Sequence, residues 1–129
     1  MNSKLMPTEE QEQLALADLL NQLKLTWFHP ANEGIRKPQY AAKLKRLGLK
    51  AGIPDVIILN TPPKFPEARG AVIELKRQKG GRLSMDQRVW LQLFQLYKWK
   101  AAVCNGIDGA IEQLKEWGYI KQTGGQGNA

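Results

Sequence analysis

The sequence predicts a single α/β domain, on three observations. Short apolar runs of strand length, Val56 to Leu59, Ala71 to Lys76 and Lys100 to Cys104, alternate with longer stretches whose apolar residues recur at helical spacing. The 129 residues with 43% hydrophobic content suffice to bury one sizeable core without disulfides. The one cysteine, Cys104, excludes an internal disulfide and fits a reducing compartment. The order read along the chain is helix, short strand, helix, two strands, helix, strand, helix.

The first helix runs from about Thr8 to Lys24, with Thr8 as N-cap and acids in the first turn, where they complement the helix dipole. Leu16, Leu19, Leu20 and Leu23 define its buried face; extended backwards at helical spacing, that face reaches Glu9, Glu12 and Gln13 and leaves Glu10 on the other side. A short strand, Thr26 to Phe28, leads into the His29 to Arg36 loop. A basic helix follows from Pro38 to about Leu47, with proline at its first position and Gly48 as its stop. The next two strands flank the loop from Asn60 to Gly70, which holds proline and glycine. The third helix spans Ser84 to about Tyr97, opening on a capping box, Ser84-Met85-Asp86-Gln87. Gln87, Trp90, Phe94 and Tyr97 share the face expected against the sheet. After the last strand, which places Cys104 in the core, a closing helix from about Asp108 to Trp117 carries the stripe Ile107, Ala110, Ile111, Leu114 and Trp117, with Gly118 as its stop. Residues 1–120 form the domain and 121–129 a polar, glycine-rich tail expected to be disordered. No apolar run approaches the roughly 20 residues of a membrane span, so a cytoplasmic protein is expected.

The chemistry concentrates at Ile53-Pro54-Asp55 and Ile73-Glu74-Leu75-Lys76. If the two runs pair as a hairpin about the intervening loop, Asp55 falls opposite Glu74, where side chains on one face lie about 5 Å apart. Lys76, two residues on, shares that face. Two adjacent carboxylates repel unless a hard divalent cation lies between them, and an all-oxygen donor set suits Mg2+ or Mn2+. A neighbouring lysine can hold the attacking water and offset charge on a phosphate. Metal-dependent phosphodiester cleavage needs these parts. The structural alternative is that Asp55 caps a strand while Glu74 pairs with Lys76; the order and spacing of the set favour the site.

Charge suits either a polyanionic substrate or a solvated basic surface that aids solubility. The net charge is +7, and from Gly34 to Pro54 there are Arg36, Lys37, Lys43, Lys45, Arg46 and Lys50 with no acid. Around the carboxylates, Lys76, Arg77, Lys79, Arg82 and Arg88 face only Asp86. Arg36, Lys43, Lys45, Arg46, Arg77 and Arg82 are the residues expected on DNA phosphates. With a lone histidine, His29, any Ser-His-Asp or His-based zinc chemistry lacks parts; His29 serves as a structural hydrogen-bonder or, beside Asn32 and Arg36, as a phosphate contact. There is no zinc-finger spacing and no Walker-type glycine loop.

The series Gly52-Ile53-Pro54-Asp55, Ile73-Glu74-Leu75-Lys76 and Gly81-Arg82-Leu83-Ser84-Met85-Asp86-Gln87 resembles the motifs of the VRR-NUC domain, the virus-type replication-repair branch of the PD-(D/E)XK nucleases. Phe28 to Arg36 resembles the family's His-x-Pro-Asn-x-Gly-x-Arg segment, although Pro30-Ala31 departs from its usual order, and the interstrand loop is longer than a tight turn. Leu44 to Gly52 resembles the stretch leading into the family's aspartate, and the resemblance runs from about Glu9 to about Trp117. It implies a restriction-endonuclease-like fold with a central mixed sheet of about four strands flanked by helices. It also implies a glutamate on the first helix near the metal, carried over to Glu9, four before Gln13, with Glu12 as rival. Gln87 then has two uses, the helix cap and a contact to water or phosphate in the site, and the resemblance favours the second.

The function implied is a Mg2+- or Mn2+-dependent endonuclease acting on branched DNA such as four-way junctions, in replication, repair or recombination in a bacterial or phage-infected cell. Asp55, Glu74 and Glu9 would bind metal and Lys76 and Gln87 would complete the catalytic set. So small a chain carries one such set, so paired incisions call for a homodimer, and surplus aromatic residues from Trp90 to Trp99 either form that interface or fill the core. A non-catalytic DNA-binding module of the same fold and an RNA nuclease remain the alternatives.

Overall fold

Thr8 opens the first helix with a full capping box: its hydroxyl accepts from Gln11 N at 3.1 Å and its own amide donates to Gln11 Oε1 at 2.9 Å. In a computed structural model that describes residues 6–30 and 37–122, this helix is α1, Glu9–Gln22, followed by β1, Trp27–Phe28, and α2, Pro38–Arg46. Then come β2, Val56–Ile58, β3, Ala71–Lys76, α3, Met85–Leu96, β4, Lys100–Asn105, and α4, Gly106–Trp117. The expectations for Arg36, Asn32 and residues 123–129 lie outside the described residues. Among those described, no helix is long and apolar enough to cross a membrane.

The four strands form one mixed sheet in the order β1-β2-β3-β4, antiparallel at the first two junctions and parallel between β3 and β4. α3 makes the crossover that a parallel pair requires. Alternation along β3 divides the core. Ala71, Ile73 and Leu75 pack with Leu16 and Leu20 of α1 and Ala110, Leu114 and Trp117 of α4. Val72 turns the other way and packs with Ile57 and with Leu91 of α3. Strands covered on both faces read as continuous apolar runs, which is why β2 and β3 are so legible.

Three local expectations are corrected. On α3 the residue driven into the sheet is Leu91, four after Gln87, with Phe94 beside it; Tyr97 is 65% exposed and Trp90 and Leu93 are only half-buried. The surplus of aromatic residues hides this face, because Trp90 and Tyr97 are also spaced helically. On α1 the innermost line is Glu12, Leu16 and Leu20, so Glu9 and Gln13 stand at its margin and Glu10 is not turned away from the cleft they border. The closing helix starts two residues early, at Gly106, because Glu12 supplies the cap: its Oε1 accepts from Ile107 N at 2.8 Å. α2 differs from the other helices in burying none of its residues.

Candidate active site

The antiparallel register sets Val56 against Ile73, and its continuation by one residue brings Asp55 opposite Glu74. Asp55 stops the ladder: its Oδ2 accepts from Leu75 N at 2.8 Å, taking a place where a strand carbonyl would otherwise accept. Its own carbonyl lies 2.6 Å from His29 Nδ1. A carbonyl only accepts, so Nδ1 carries the proton and His29 has the structural use expected of it. Gly52, three residues earlier, has φ +87, and a Cβ there would stand 2.6 Å from Asp86 C. Only glycine lets the strand entering the site lie this close to the start of α3.

Glu74 is 3% exposed on the α3 face of the sheet, where Gln87 meets it. Gln87 Nε2 donates to Glu74 Oε2 at 2.8 Å, while its Oε1 accepts from Lys76 Nζ at 3.1 Å and from Ser84 N at 2.8 Å. Two donors converge on Oε1, which fixes the amide's orientation. Gln87 therefore has the first use that the sequence leaves open, closing the α3 capping box, and in addition spans lysine and glutamate. Lys76 Nζ is also 3.6 Å from Glu74 Oε2.

Glu74 Oε1 is buried without a hydrogen-bond partner. Burial, reinforced by the charge of Asp55 and opposed by Lys76, pushes the Glu74 carboxyl up to about 8. A buried, under-satisfied oxygen beside a second carboxylate is what an oxygen-preferring divalent cation would relieve, so Asp55 and Glu74 fit Mg2+ or Mn2+.

The VRR-NUC domain family matches residues 8–108, a span that includes every element from α1 to β4 and the whole Asp55, Glu74, Lys76 and Gln87 constellation. The chain belongs to the VRR-NUC family. A solved structure of a "VRR_NUC domain protein" shares the fold, with TM-score 0.66 and 24% identity over 86% of this chain and 88% of the other. No curated protein matches the sequence. Membership gives the chain a nuclease-type fold, of a family that is in general dependent on divalent metal.

In this VRR-NUC domain the two helix-borne candidates part company. Glu9 lines an open cleft of about 480 Å³ together with Glu10, Gln13, His29, Asp55 and Leu75. Glu12 is 1% exposed; its Oε1 accepts from Ile107 N, the second amide of α4, and its Oε2 is buried without a hydrogen-bond partner. Among the described residues no three His, Cys, Asp or Glu side chains gather closely enough to hold a metal ion, and Glu9 shares the cleft lining with Asp55. α1 covers the opposite face of the sheet from Glu74. Lys43, Lys45 and Arg46 are exposed on α2, and Arg77 and Arg82 are exposed just beyond β3. Glu10, on the cleft wall, escapes a helical projection drawn from the leucines alone. The Leu75 amide is a further unexpected participant, although the strand register already implies its place.

Proposed function

We propose that this VRR-NUC domain is a metal-dependent endonuclease of branched DNA such as four-way junctions, working as a homodimer. The observation that carries the reading is the buried Glu74 with an unpartnered oxygen, set beside Asp55 and bridged to Lys76 by Gln87. Asp55 and Glu74 would hold Mg2+ or Mn2+, with Glu9 lining the same cleft as Asp55. The chemistry supplied by that cation is Lewis acidity towards a phosphodiester oxygen and neutralisation of the two carboxylates. Lys76, only 12% exposed, would offer ammonium protons to a water or a phosphate oxygen beside Glu74. Gln87 keeps that ammonium aimed and prevents it from collapsing fully onto Glu74. His29 and the Leu75 amide hold Asp55 at its backbone and side chain.

The substrate class follows from charge. Lys43, Lys45 and Arg46 on a helix with no buried residue, with Arg77 and Arg82 near the carboxylates, suit the backbone of a nucleic acid. DNA affinity in the absence of metal is expected to fall steeply with salt. Substituting Lys43, Lys45 or Arg46 by Gln should flatten the plot of log affinity against log salt by about one unit for each phosphate no longer neutralised. A salt-independent affinity would point to another class of ligand.

The dimer is supported by the outer side of α3, where Met85 is 73% and Leu96 70% exposed, with Val89 and Tyr97 also open. Such a stripe is unusual on a monomer surface. Two symmetric incisions across a branch need two chains related by a twofold axis. Light scattering at micromolar concentration is expected to report about twice the 14.5 kDa chain mass, and Leu96→Glu with Met85→Glu to return it to one chain.

The reading is tested by incubating the protein with labelled linear, flapped and four-way DNA, and with RNA counterparts, in the presence and absence of Mg2+ or Mn2+. Cleavage of branched DNA only with metal is expected. Binding without cleavage of any substrate would instead leave a DNA-binding module.

A further inference from the structure

Gly80 and Gly81 lie in the segment that leaves β3 and enters α3, and they are glycines for different reasons. Gly80 has φ +82, in the left-handed region, with open space where a side chain would stand. Gly81 has no such backbone. A Cβ there would lie 2.8 Å from Lys76 Cβ and 3.3 Å from both its Cγ and Cδ. Carbon atoms in contact stand about 3.5–4.0 Å apart, so the requirement at this position is steric. The place where a side chain of residue 81 would stand is taken by the first three carbons of the lysine stem.

That packing matters because of what the stem carries. A lysine has four side-chain torsions and little intrinsic preference for one direction. Here its Nζ is held 3.1 Å from Gln87 Oε1 and 3.6 Å from Glu74 Oε2. The segment that presses on the stem runs on to Ser84, whose amide donates to the same Gln87 Oε1. One connection therefore confines the lysine from above and anchors the acceptor to which its ammonium points.

We infer that Gly81 is a positioning residue for Lys76: the missing side chain lets the β3–α3 connection clamp the lysine stem and aim the ammonium between Gln87 and Glu74. A methyl group at position 81 must either lift the connection, moving Ser84 and Gln87, or push the stem aside. In both cases the ammonium leaves its place while the sheet and helices remain. The catalytic consequence rests on the nuclease reading; the steric coupling does not.

The test is a cycle of four proteins, wild type, Gly81→Ala, Lys76→Gly and the double variant, with Gly80→Ala as the control. Glycine is needed at position 76 because Lys76 Cβ is itself one of the obstructing atoms. Gly81→Ala is expected to lower kcat roughly tenfold to a hundredfold with KM within about twofold, as a misplaced catalytic group does. Its Tm should fall by about 5 °C. In the Lys76→Gly background the added methyl enters vacated space, so the same substitution should lower Tm no further. Gly80→Ala should lower Tm through backbone strain while keeping kcat within about threefold. Additive Tm losses in the double variant, an unchanged Tm and kcat for Gly81→Ala, or an equal kcat loss for Gly80→Ala would each overturn the inference. Absence of cleavage by the unmodified protein counts against the nuclease reading, and the Tm cycle then still decides whether Gly81 clamps Lys76.

Discussion

Glu74→Ala is expected to lower the rate of metal-dependent DNA cleavage by about 10³-fold or more, while DNA binding without metal is unchanged or tighter. The rate falls because one of the two adjacent carboxylates is removed and because Gln87 Nε2 loses its acceptor, leaving the amide that orients Lys76 held only through its oxygen. Binding does not fall, since the basic residues expected on phosphate are untouched, and above about pH 8, where Glu74 is ionised, a group that repels phosphate has gone. The fold should tolerate the change, because the carboxylate removed is already under-satisfied in its buried setting. Asp55→Ala should match the loss of cleavage but cost more stability: its Oδ2 is the acceptor for Leu75 N, and an unpaired buried amide costs about 1–3 kcal/mol. Single-turnover rates, filter binding in chelator and thermal melts for both variants provide the check. Undiminished Mn2+-dependent cleavage by Glu74→Ala would overturn the site.

The second large effect is a dependence on pH that metal should remove. The Glu74 carboxyl stands at about 8 in the folded chain against an ordinary value of 4.5, so between these pH values the metal-free folded state holds a proton that the unfolded state has released. Its contribution to stability is fully present below about pH 4.5 and is lost as pH rises through about 8. Metal-free stability should therefore decline across that window by a few kcal/mol at most, and Glu74→Gln should flatten the decline. Metal must displace the same proton. Binding of Mg2+ or Mn2+ at pH 7 is expected to release about one proton, and apparent affinity to rise with pH up to about 8. Denaturant titrations from pH 5 to 9, and calorimetry in two buffers of different ionisation enthalpy, measure the two effects. An identical pH profile for wild type and Glu74→Gln would sink the assignment.

The site is legible in the sequence where it depends on period and register. Asp55 and Glu74 meet because both strands are apolar runs of known direction about one loop, and a period of two then puts Lys76 beside Glu74. The α3 capping box is legible for the same reason, since it uses residues three apart, and Thr8 is legible as the cap of α1. What escapes depends on contacts between distant segments. Glu9 and Glu12 differ by less than one helical turn, and nothing local tells which meets the cleft and which meets Ile107 N, 95 residues further on. The face of α3 is obscured because Trp90, Phe94 and Tyr97 are as periodic as Leu91, and only the sheet chooses between them. Gly81 beside Lys76 is equally silent, because a close approach leaves no trace beyond the glycine itself.

The shared amide of Gln87 limits what this position can become. Glutamate closes a capping box as well as glutamine does, so the helix alone would accept either. Toward Glu74, however, the two differ completely: glutamine presents a donor at 2.8 Å, whereas glutamate would add a further carboxylate beside Asp55 and raise the cost of ionising Glu74 again. Position 87 is thus bound by two separate constraints, one shared with countless helix starts and one particular to the chemistry beneath it, and only the carboxamide satisfies both.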